Sequence, residues 1–379
     1  MDEQRDPDES RHTPVPDAHD ELAAELEAAF AAWGTDPRSW SDEAFESRAL
    51  EAFRLQFEAN RPYARYCRAT GATPESVESW RDVPPVPTTA FRAVELIVGD
   101  PADARLRFRT SGTTGGAAAR GTHLVRRPAT YRASLLGPFR HAVLDGRPAG
   151  RILSLHPSFE PARDSSLAWM FDTVLDELGG AGSARVEPSD AGKGAVAASV
   201  KTLERAAGDG EPMAILGTTL ALADWGERLA AASVRLELPT GSRLMDTGGA
   251  KGREGLDRDA AIGGLLERFG LPEEAAVNEF GMTELLSQRY GRGLGRLALR
   301  GPPWLRTRVL DPVTLDELPE GDEGILCHYD LANVGSMIAV LTADRGRAVG
   351  DAVEWLGRTP GATPRGCSLA TAELLEAQR

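Results

Sequence analysis

The sequence predicts an α/β fold in which helices cover a mixed, largely parallel sheet. From Gly150 onward, apolar runs of strand length alternate with longer amphipathic helical patterns. The turns after several of these runs carry glycines together with hydroxyl and acidic side chains. A Gly/Ser/Thr-rich stretch at 110–116 also follows a short apolar run. Strands separated by helices pair in parallel, and ligands collect beyond their carboxyl ends.

Composition excludes several classes of function. The 379 residues include 43 basic and 57 acidic side chains, for a formal net charge of −14. That charge argues against broad nucleic-acid binding and against docking on anionic membranes. No apolar run reaches the length of a membrane span, and the polar, acidic start resembles neither a secretory signal nor a transit peptide. We therefore expect a cytoplasmic protein with neither a nucleic-acid partner nor a membrane span.

The N-terminal region is expected to be helical after a disordered start. Residues 1–18 are rich in Asp, Glu and Pro, which predicts disorder. Residues 19–33 place apolar side chains at helical spacing. A second helix is expected from about Asp42 to Cys67, with Ser39 and Asp42 resembling a capping box.

The α/β part follows in order along the chain. The predicted strands are Arg151–Leu155, Met213–Gly217, Arg243–Met245, Ala275–Asn278, Trp304–Leu310, Gly324–His328 and Met337–Leu341. The predicted helices are Ser165–Leu178, Ala195–Ala207, Leu220–Ala232, Asp257–Phe269 and a last one from about Leu369.

The Gly/Ser/Thr-rich stretch has the chemistry of a phosphate-binding loop. It reads Thr110-Ser111-Gly112-Thr113-Thr114-Gly115-Gly116 after the apolar positions Leu106 and Phe108. Glycines let a ligand approach the backbone, and successive N–H groups in such a turn can surround an anion. A polar surface turn is the alternative, so a functional interpretation needs the rest of a nucleotide site downstream.

A second constellation, Asn278-Glu279-Phe280-Gly281-Met282-Thr283-Glu284, follows a predicted strand. Here a glycine turn brings an aromatic ring, a hydroxyl and a carboxylate together. Such a ring can stack on a base, the hydroxyl can donate to a phosphate, and a carboxylate can hold Mg²⁺. The alternative is a strand-to-helix turn with Phe280 in the core and Glu284 beside a helix N-terminus.

Together, these segments resemble those of the adenylate-forming enzymes, and three further segments follow in the family's order: Gly248-Gly249-Ala250, Thr342-Ala343-Asp344 and Gly357-Arg358. The resemblance implies ATP and Mg²⁺. It places the β- and γ-phosphates on Thr110, Ser111, Gly112, Thr113, Thr114 and Gly115. Adenine lies against Gly248, Gly249, Ala250 and Phe280, and ribose on Asp344. Thr283 meets the α-phosphate, Glu284 the metal, and Arg358 opens a C-terminal cap.

The chain departs from that family at three places. Ala117 stands where the phosphate loop usually ends in lysine, and Arg120 is the nearest cation. Ala343 replaces the usual glycine of the ribose segment. The usual cap of roughly a hundred residues is missing, and no lysine follows Lys251. Either an arginine substitutes for the cap's catalytic lysine or adenylation proceeds without it.

The short cap is similar to that of the acyl-protein synthetase (LuxE-like) branch, which is related to the phenylacetate–CoA ligases. The segments carrying this likeness are Asn60-x-x-Tyr63-x-x-Tyr66-Cys67, the proline-rich approach to Phe91, Asp246-Thr247-Gly248-Gly249 and Arg365-Gly366-Cys367-Ser368. The resemblance implies a main domain at 19–357 and a short cap segment at 358–379. It also implies a fatty acid activated as acyl-AMP, moved to a C-terminal cysteine and handed to a reductase partner.

Cys367 also fits that role on chemical grounds. It precedes an expected helix start, with Ser368 as candidate N-cap and Arg365 nearby. A helix N-terminus and a nearby cation lower the pKa of a thiol and favour the thiolate. A small residue in a packing turn is the alternative for Cys367, while Cys67 and Cys327 lie in helix and strand patterns typical of a core.

The predicted enzyme is thus a ligase with Cys367, Thr283 and Glu284 as catalytic residues. It activates a fatty or other carboxylic acid with ATP and passes the acyl group to a cysteine thiol, with a reductase or carrier protein as a possible partner. Two alternatives stay open: an acyl- or aryl-CoA ligase, and a catalytically weakened nucleotide-binding partner protein. The segment Gly217-Thr218-Thr219 is a candidate for the wall of the acyl pocket.

Overall fold

The computed structural model describes residues 15–33, 40–110, 120–160, 164–186, 193–248 and 255–358. The chain begins with three helices: α1 (Val15–Ala31), α2 (Asp42–Ala59) and α3 (Arg61–Ala69). α1 buries Leu22, Leu26 and Phe30 against the rest of the protein and packs on α2 and on a later helix, α4 (Pro128–Val143). The helix predicted from Leu369, and the cap segment beyond Arg358, lie outside the described residues.

The prediction of one helix from Asp42 to Cys67 is wrong, because α2 ends at Ala59 and a separate helix, α3, begins after Asn60. The side chain of Asn60 accepts a hydrogen bond from the backbone N–H of Tyr63 (2.9 Å) and so caps α3. Pro62, in the first turn of α3, lacks the N–H that would continue α2. The N-cap of α2 is Ser41, whose hydroxyl accepts from Ala44, rather than the predicted Ser39.

The remaining elements alternate strands with helices and then become strand-rich. The strands are β1 (Val86–Pro87), β2 (Leu106–Arg109), β3 (Thr122–Val125), β4 (Arg151–Leu155), β5 (Ala184–Arg185), β6 (Met213–Thr218), β7 (Arg243–Thr247), β8 (Ala276–Phe280), β9 (Arg289–Arg292), β10 (Ala298–Arg300), β11 (Leu305–Leu310), β12 (Gly324–Asp330), β13 (Ala339–Val349) and β14 (Ala352–Arg358). The helices are α4 (Pro128–Val143), α5 (Ser166–Leu178), α6 (Lys193–Asp209), α7 (Thr219–Ala231) and α8 (Arg258–Arg268).

One large sheet organises the molecule, in the order β11-β12-β13-β14-β10-β9-β8-β7-β6-β4-β5. Strands β4 to β8 pair in parallel, whereas the pairs from β8 to β11 are antiparallel. β1 pairs in parallel with β13, and β2 forms a separate hairpin with β3. The sheet therefore changes from parallel to antiparallel pairing at β8, where the second predicted motif begins.

Side chains that alternate along the parallel strands are buried on both faces of the sheet. In β6, Ala214 and Leu216 join the core beneath the N-terminal helices, α4 and α5. Met213 and Ile215 face the opposite core, together with side chains of α6, α7 and α8. The parallel half is thus covered by helices on both sides, so its strand ends are where a ligand can enter.

The predicted α/β fold class is confirmed, and each predicted strand from Arg151 to Leu341 overlaps an observed one. The predicted strand Met337–Leu341 is the beginning of a longer one, β13. Helix α4 and strands β3, β5, β9, β10 and β14 were not predicted. None of the helices in the described part of the chain combines the length and apolar character needed to cross a membrane.

Candidate functional site

A cleft of about 560 Å³ opens at the carboxyl ends of the parallel strands. Thr218 of β6, Thr247 of β7 and Glu279 of β8 form its base. The hairpin β2–β3, helices α4 and α5, the turn after β8 and the strands β13 and β14 supply its walls. Segments far apart in the sequence therefore meet at the edge where an α/β sheet binds its ligands.

Six of the predicted site residues line this cleft: Thr110, Gly248, Thr283, Glu284, Asp344 and Arg358. Thr218, from the candidate acyl segment, lines it as well. Eight other predicted site residues lie outside the described part of the chain: Ser111, Gly112, Thr113, Thr114, Gly115, Gly249, Ala250 and Cys367. Phe280 is described but is not among the residues that line the cleft.

The turn carrying Thr283 and Glu284 is held by buried polar side chains. The Nδ1 atom of His123 contacts the carbonyl oxygen of Thr283 (2.7 Å), and the Nδ2 atom of Asn333 donates to the carbonyl of Glu284 (2.8 Å). Farther along, Asp330 accepts from the backbone N–H groups of Leu286 (3.0 Å) and of the following residue (2.9 Å). Three separate elements thus fix the backbone of the turn.

His123 is a neutral histidine with a defined tautomer. A carbonyl oxygen only accepts hydrogen bonds, so Nδ1 carries the proton that it shares with Thr283. Nε2 then accepts from the hydroxyl of Ser336 (2.8 Å). Burial lowers the pKa of His123 to about 4, although the bond to Thr283 opposes that shift. The imidazole therefore remains uncharged at neutral pH and serves as a hydrogen-bonding strut.

Asp344 and Arg358 meet across adjacent strands. Their Cα atoms are register partners in β13 and β14, and Arg358 Nε donates to Asp344 Oδ1 (3.1 Å). The indole N–H of Trp355 reaches the same oxygen (3.3 Å). Asp344 is buried, whereas the Arg358 side chain is 58% exposed. Two side chains of β14 thus hold the Oδ1 atom of Asp344, and the same aspartate lines the cleft.

The ring of Phe280 lies against other aromatic side chains. Its centroid is 6.1 Å from the ring of His328 and 6.2 Å from that of Trp355. Trp355 is 42% exposed, which is unusual for so large an apolar side chain. Phe280 and Trp355 thus form a pair of rings near Asp344 with Trp355 as the exposed member, and neither ring is among the residues that line the cleft.

Thr110 stands at the end of β2, where the predicted phosphate loop begins. Its hydroxyl accepts from the backbone N–H of Gly121 (2.8 Å), which closes the hairpin across the loop. Arg120, the nearest cation in the sequence, donates from Nε to the carbonyl oxygen of Thr110 (2.6 Å) and from Nη2 to that of Arg109 (3.1 Å). Arg120 thus braces the two ends of the loop and also lines the cleft.

The charges of the cleft suit an anionic ligand. Arg92, Arg109, Arg120 and Arg358 line it, against the carboxyl groups of Glu279, Glu284 and Asp344. Glu279 is buried, and desolvation raises its pKa to about 7, although a hydrogen bond from Thr247 opposes this shift. A site lined by arginine side chains attracts phosphate groups.

Glu284 fits a magnesium ion held together with phosphates. Its carboxylate is a hard oxygen donor, 8% exposed and at the cleft wall. Among the described residues, no group of three His, Cys, Asp or Glu side chains forms a ready-made metal cage. Mg²⁺ commonly binds through one or two carboxylates and substrate phosphates, so a single glutamate is a suitable donor.

The sequence interpretation gave no role to three residues that the structure places in the cleft wall or next to its lining residues: Glu279, His123 and Trp355. His123 and Thr283 are 160 positions apart, and only the folded chain brings them together. Trp355 lies three residues before Arg358, so its proximity to a predicted site residue is the signal that could have found it. Glu279 lies inside the quoted motif, where an acidic residue in a buried strand is a further signal.

The structure is similar to solved adenylate-forming ligases. An open conformation of 2-hydroxyisobutyryl-CoA ligase with 2-HIB-AMP and CoA superposes with a TM-score of 0.61 and 15% identity, over 84% of this chain and 69% of that one. The same ligase in its postadenylation state with 2-HIB-AMP gives a TM-score of 0.60 and 17% identity, over 84% and 67%. The chain has the adenylate-forming fold.

Sequence comparison points to the same group. No family model matches the chain. A curated relative from Vibrio harveyi, a long-chain-fatty-acid–luciferin-component ligase, is 23% identical over 367 residues, which cover 90% of this chain and 92% of the relative. This relative confirms the resemblance to the acyl-protein synthetases and the predicted class of enzyme, a ligase.

Proposed function

We propose that this protein activates a carboxylic acid with ATP as an acyl-adenylate and then transfers the acyl group to a cysteine thiol. The observation that carries the proposal is the cleft itself. Thr110, Thr283, Glu284 and Asp344 come from separate segments of the chain and line one space at the carboxyl edge of the sheet. The positive side chains beside them suit the phosphates of ATP.

In the first step, a carboxylate oxygen of the acid attacks the α-phosphorus of ATP. The bond between that phosphorus and the bridging oxygen breaks, and its electron pair leaves with pyrophosphate. The hydroxyl of Thr283 donates to the α-phosphate. The contact between His123 and the carbonyl oxygen of Thr283 holds this residue in position. The loop beginning at Thr110 holds the leaving phosphates, with Arg109 and Arg120 beside it. Positioning and charge neutralisation are the main contributions of such a site.

The nucleotide is oriented by the opposite wall. Asp344 accepts from the ribose hydroxyls, and adenine lies against Gly248 at the cleft wall, with the paired rings of Trp355 and Phe280 next to this part of the site. Glu284 would hold Mg²⁺, which would neutralise phosphate charge when bound. The use of an adenine nucleotide is supported by the solved ligases of the same fold, which contain an acyl-AMP.

In the second step, a thiolate attacks the acyl carbon, and the bond to the phosphate oxygen breaks to release AMP. We assign the thiol to Cys367. The chain contains three cysteines, and two of them, Cys67 and Cys327, are buried. Burial also raises the pKa of Cys67 to about 12, which suppresses its thiolate. Neither buried cysteine is therefore suited to acyl transfer.

The relative's name supports a fatty acid as substrate and this enzyme class for the chain. A reductase or a carrier protein that receives the acyl group belongs to the same proposal, as does a cytoplasmic location. The main domain at 19–357 with its short cap segment at 358–379 is the domain arrangement that we propose.

Intact-protein mass spectrometry tests the proposal. The protein is incubated with MgATP and a mixture of carboxylic acids, with and without hydroxylamine. We expect an acyl-sized mass increase that hydroxylamine removes and that Cys367→Ser abolishes, while Cys67→Ser retains it. Thioester formation that occurs only with added CoA would instead indicate a CoA ligase. ATP binding without any pyrophosphate release would indicate a nucleotide-binding partner protein and overturn the proposal.

A further inference from the structure

One wall of the cleft carries buried polar groups that the two proposed steps do not use. Glu279, Gln288 and Tyr131 all line the cleft and are 3%, 2% and 3% exposed. Tyr290, the cross-strand partner of Glu279 in β9, is buried behind them. The nucleotide and phosphate contacts proposed above use none of these side chains, so we assign this wall to the region left for the acid.

The position of Glu279 places this polar wall close to the reacting carboxylate. A Cβ atom built on Gly281 would lie 2.5 Å from Glu279 Oε1 and 3.6 Å from Cγ of Gln288. Gly281 precedes Thr283, the proposed donor to the α-phosphate, by two residues. A group bound at Glu279 is therefore a short distance from the acyl carbon, rather than at the far end of a chain.

Within the described part of the chain, this wall carries buried polar atoms that have no hydrogen-bond partner. Thr247 donates to Oε2 of Glu279, which leaves Oε1 facing Gly281. The Oε1 atom of Gln288 and the hydroxyl of Tyr290 are buried and have no hydrogen-bond partner among the described residues. Buried polar atoms are normally paired, so an unpaired acceptor at a cleft wall indicates a ligand that supplies the donor.

We propose that the acid bears a hydroxyl group near its carboxylate, at the 2- or 3-position, and that this hydroxyl donates to Glu279 or Gln288. This inference rests on the proposed function and specifies its substrate class. The neighbouring side chains Leu167, Met170 and Met282 supply the apolar surface for the rest of the acid.

A plain alkyl acid and an amino acid fit this wall less well. Methylene groups against this wall would leave the buried Oε1 atom of Gln288 unpaired, which a site built for hydrogen bonding penalises strongly. An ammonium group would face the arginine-lined remainder of the cleft, from Arg92 to Arg358. Because burial raises the pKa of Glu279 to about 7, the carboxyl is also only partly ionised at neutral pH and is a poor counter-ion.

Pyrophosphate release in the presence of hydroxylamine, which traps the acyl-adenylate, tests the inference. The acids are hexanoate and tetradecanoate, each also as the 2-hydroxy, 3-hydroxy and 2-amino derivative. We expect kcat/KM for one hydroxy acid to exceed that for the plain acid of equal length by at least about 100-fold. Equal values for plain and hydroxy acids, or a preference for the amino acid, would overturn the inference and leave the proposed function standing.

Substitutions at the wall complete the test. Glu279→Leu should reduce the preference for the hydroxy acid to less than about 10-fold, and Glu279→Gln provides a near-isosteric variant if the leucine variant does not fold. Glu354→Gln, the same type of change at a residue outside the cleft lining, should preserve the preference. An unchanged preference in both Glu279 variants would contradict the role of this carboxyl. Absence of pyrophosphate release with every acid would mark failure of the proposed function itself.

Discussion

A single carboxylate oxygen of Asp344 accepts hydrogen bonds from both Trp355 and Arg358. From this arrangement we predict the effect of a substitution at Asp344. Asp344→Asn removes the charge that holds Arg358 and weakens acceptance from ribose hydroxyls. We expect KM for ATP to rise about 10-fold or more in steady-state kinetics, with a smaller change in kcat. Trp355→Phe is the matched control, because it keeps a ring but removes the N–H, and its KM should change less than about 3-fold. An unaltered KM in Asp344→Asn would contradict the ribose role.

The neutral state of His123 predicts a pH dependence of stability. Its pKa falls from 6.5 to about 4 on folding, so between these values the unfolded chain binds a proton that the native protein does not. The free energy of unfolding should therefore fall as the pH drops from 6.5 to 4, by on the order of 1 kcal/mol per pH unit from this residue. Buried Asp330, whose pKa is raised to about 6 by desolvation, contributes with the opposite sign.

Comparison of variants separates these contributions. Urea unfolding at several pH values between 4 and 8 should show a smaller pH slope for His123→Asn than for the original chain. The same variant loses the strut to Thr283, so kcat should fall more than KM rises. An identical pH slope in the two proteins would show that His123 does not titrate as the structure requires.

At the scale of elements, a buried ion pair joins β7 to α8. Asp246 is fully buried and accepts from Arg258 Nε (2.9 Å) and Nη2 (2.8 Å), from Thr219 Oγ1 (3.0 Å) and from Asn278 Nδ2 (3.0 Å). Removal of the cation leaves a buried charge uncompensated. We expect Arg258→Met to lower the free energy of unfolding by about 3–5 kcal/mol.

An exposed pair provides the control for this prediction. Arg235 and Glu267 are 3.1 Å apart, but their side chains are 69% and 74% exposed. Arg235→Met should therefore cost less than about 1 kcal/mol in the same urea titration. The double variant Asp246→Asn with Arg258→Met should be more stable than Arg258→Met alone, since it removes the unpaired charge. Equal losses for the exposed and buried arginines would contradict the assignment.

Local patterns predicted the parallel half of the sheet well because each of its elements is amphipathic or apolar along its own length. β4 was predicted with its observed bounds, and α5 within one residue. The break at Asn60 was not predicted, because its cap depends on a single side chain within a continuous apolar pattern. Strands β9 and β10 are short and β14 is partly polar, and all three are fixed by pairing with other strands rather than by their own composition.

The candidate site also contains features that a local sequence pattern predicts and features that depend on contacts between distant residues. The turn at Thr283 and Glu284 could be predicted because glycine, hydroxyl and carboxylate lie within a few consecutive residues. The support of that turn by His123 and Asn333 could not, since each contact joins residues from different elements of the fold. The unpaired oxygen of Gln288 is likewise a property of burial, which a single sequence does not display.

For the whole molecule, the central claim is that one cleft forms an acyl-adenylate, and isotope exchange between ATP and pyrophosphate tests it most directly. We expect exchange that requires both Mg²⁺ and a carboxylic acid, and that falls by about 100-fold or more in Glu284→Gln. Glu354→Gln, outside the cleft lining, is the matched control and should retain the exchange. Absence of exchange with every acid, or full exchange in Glu284→Gln, would contradict the proposed activity or the assigned site, respectively.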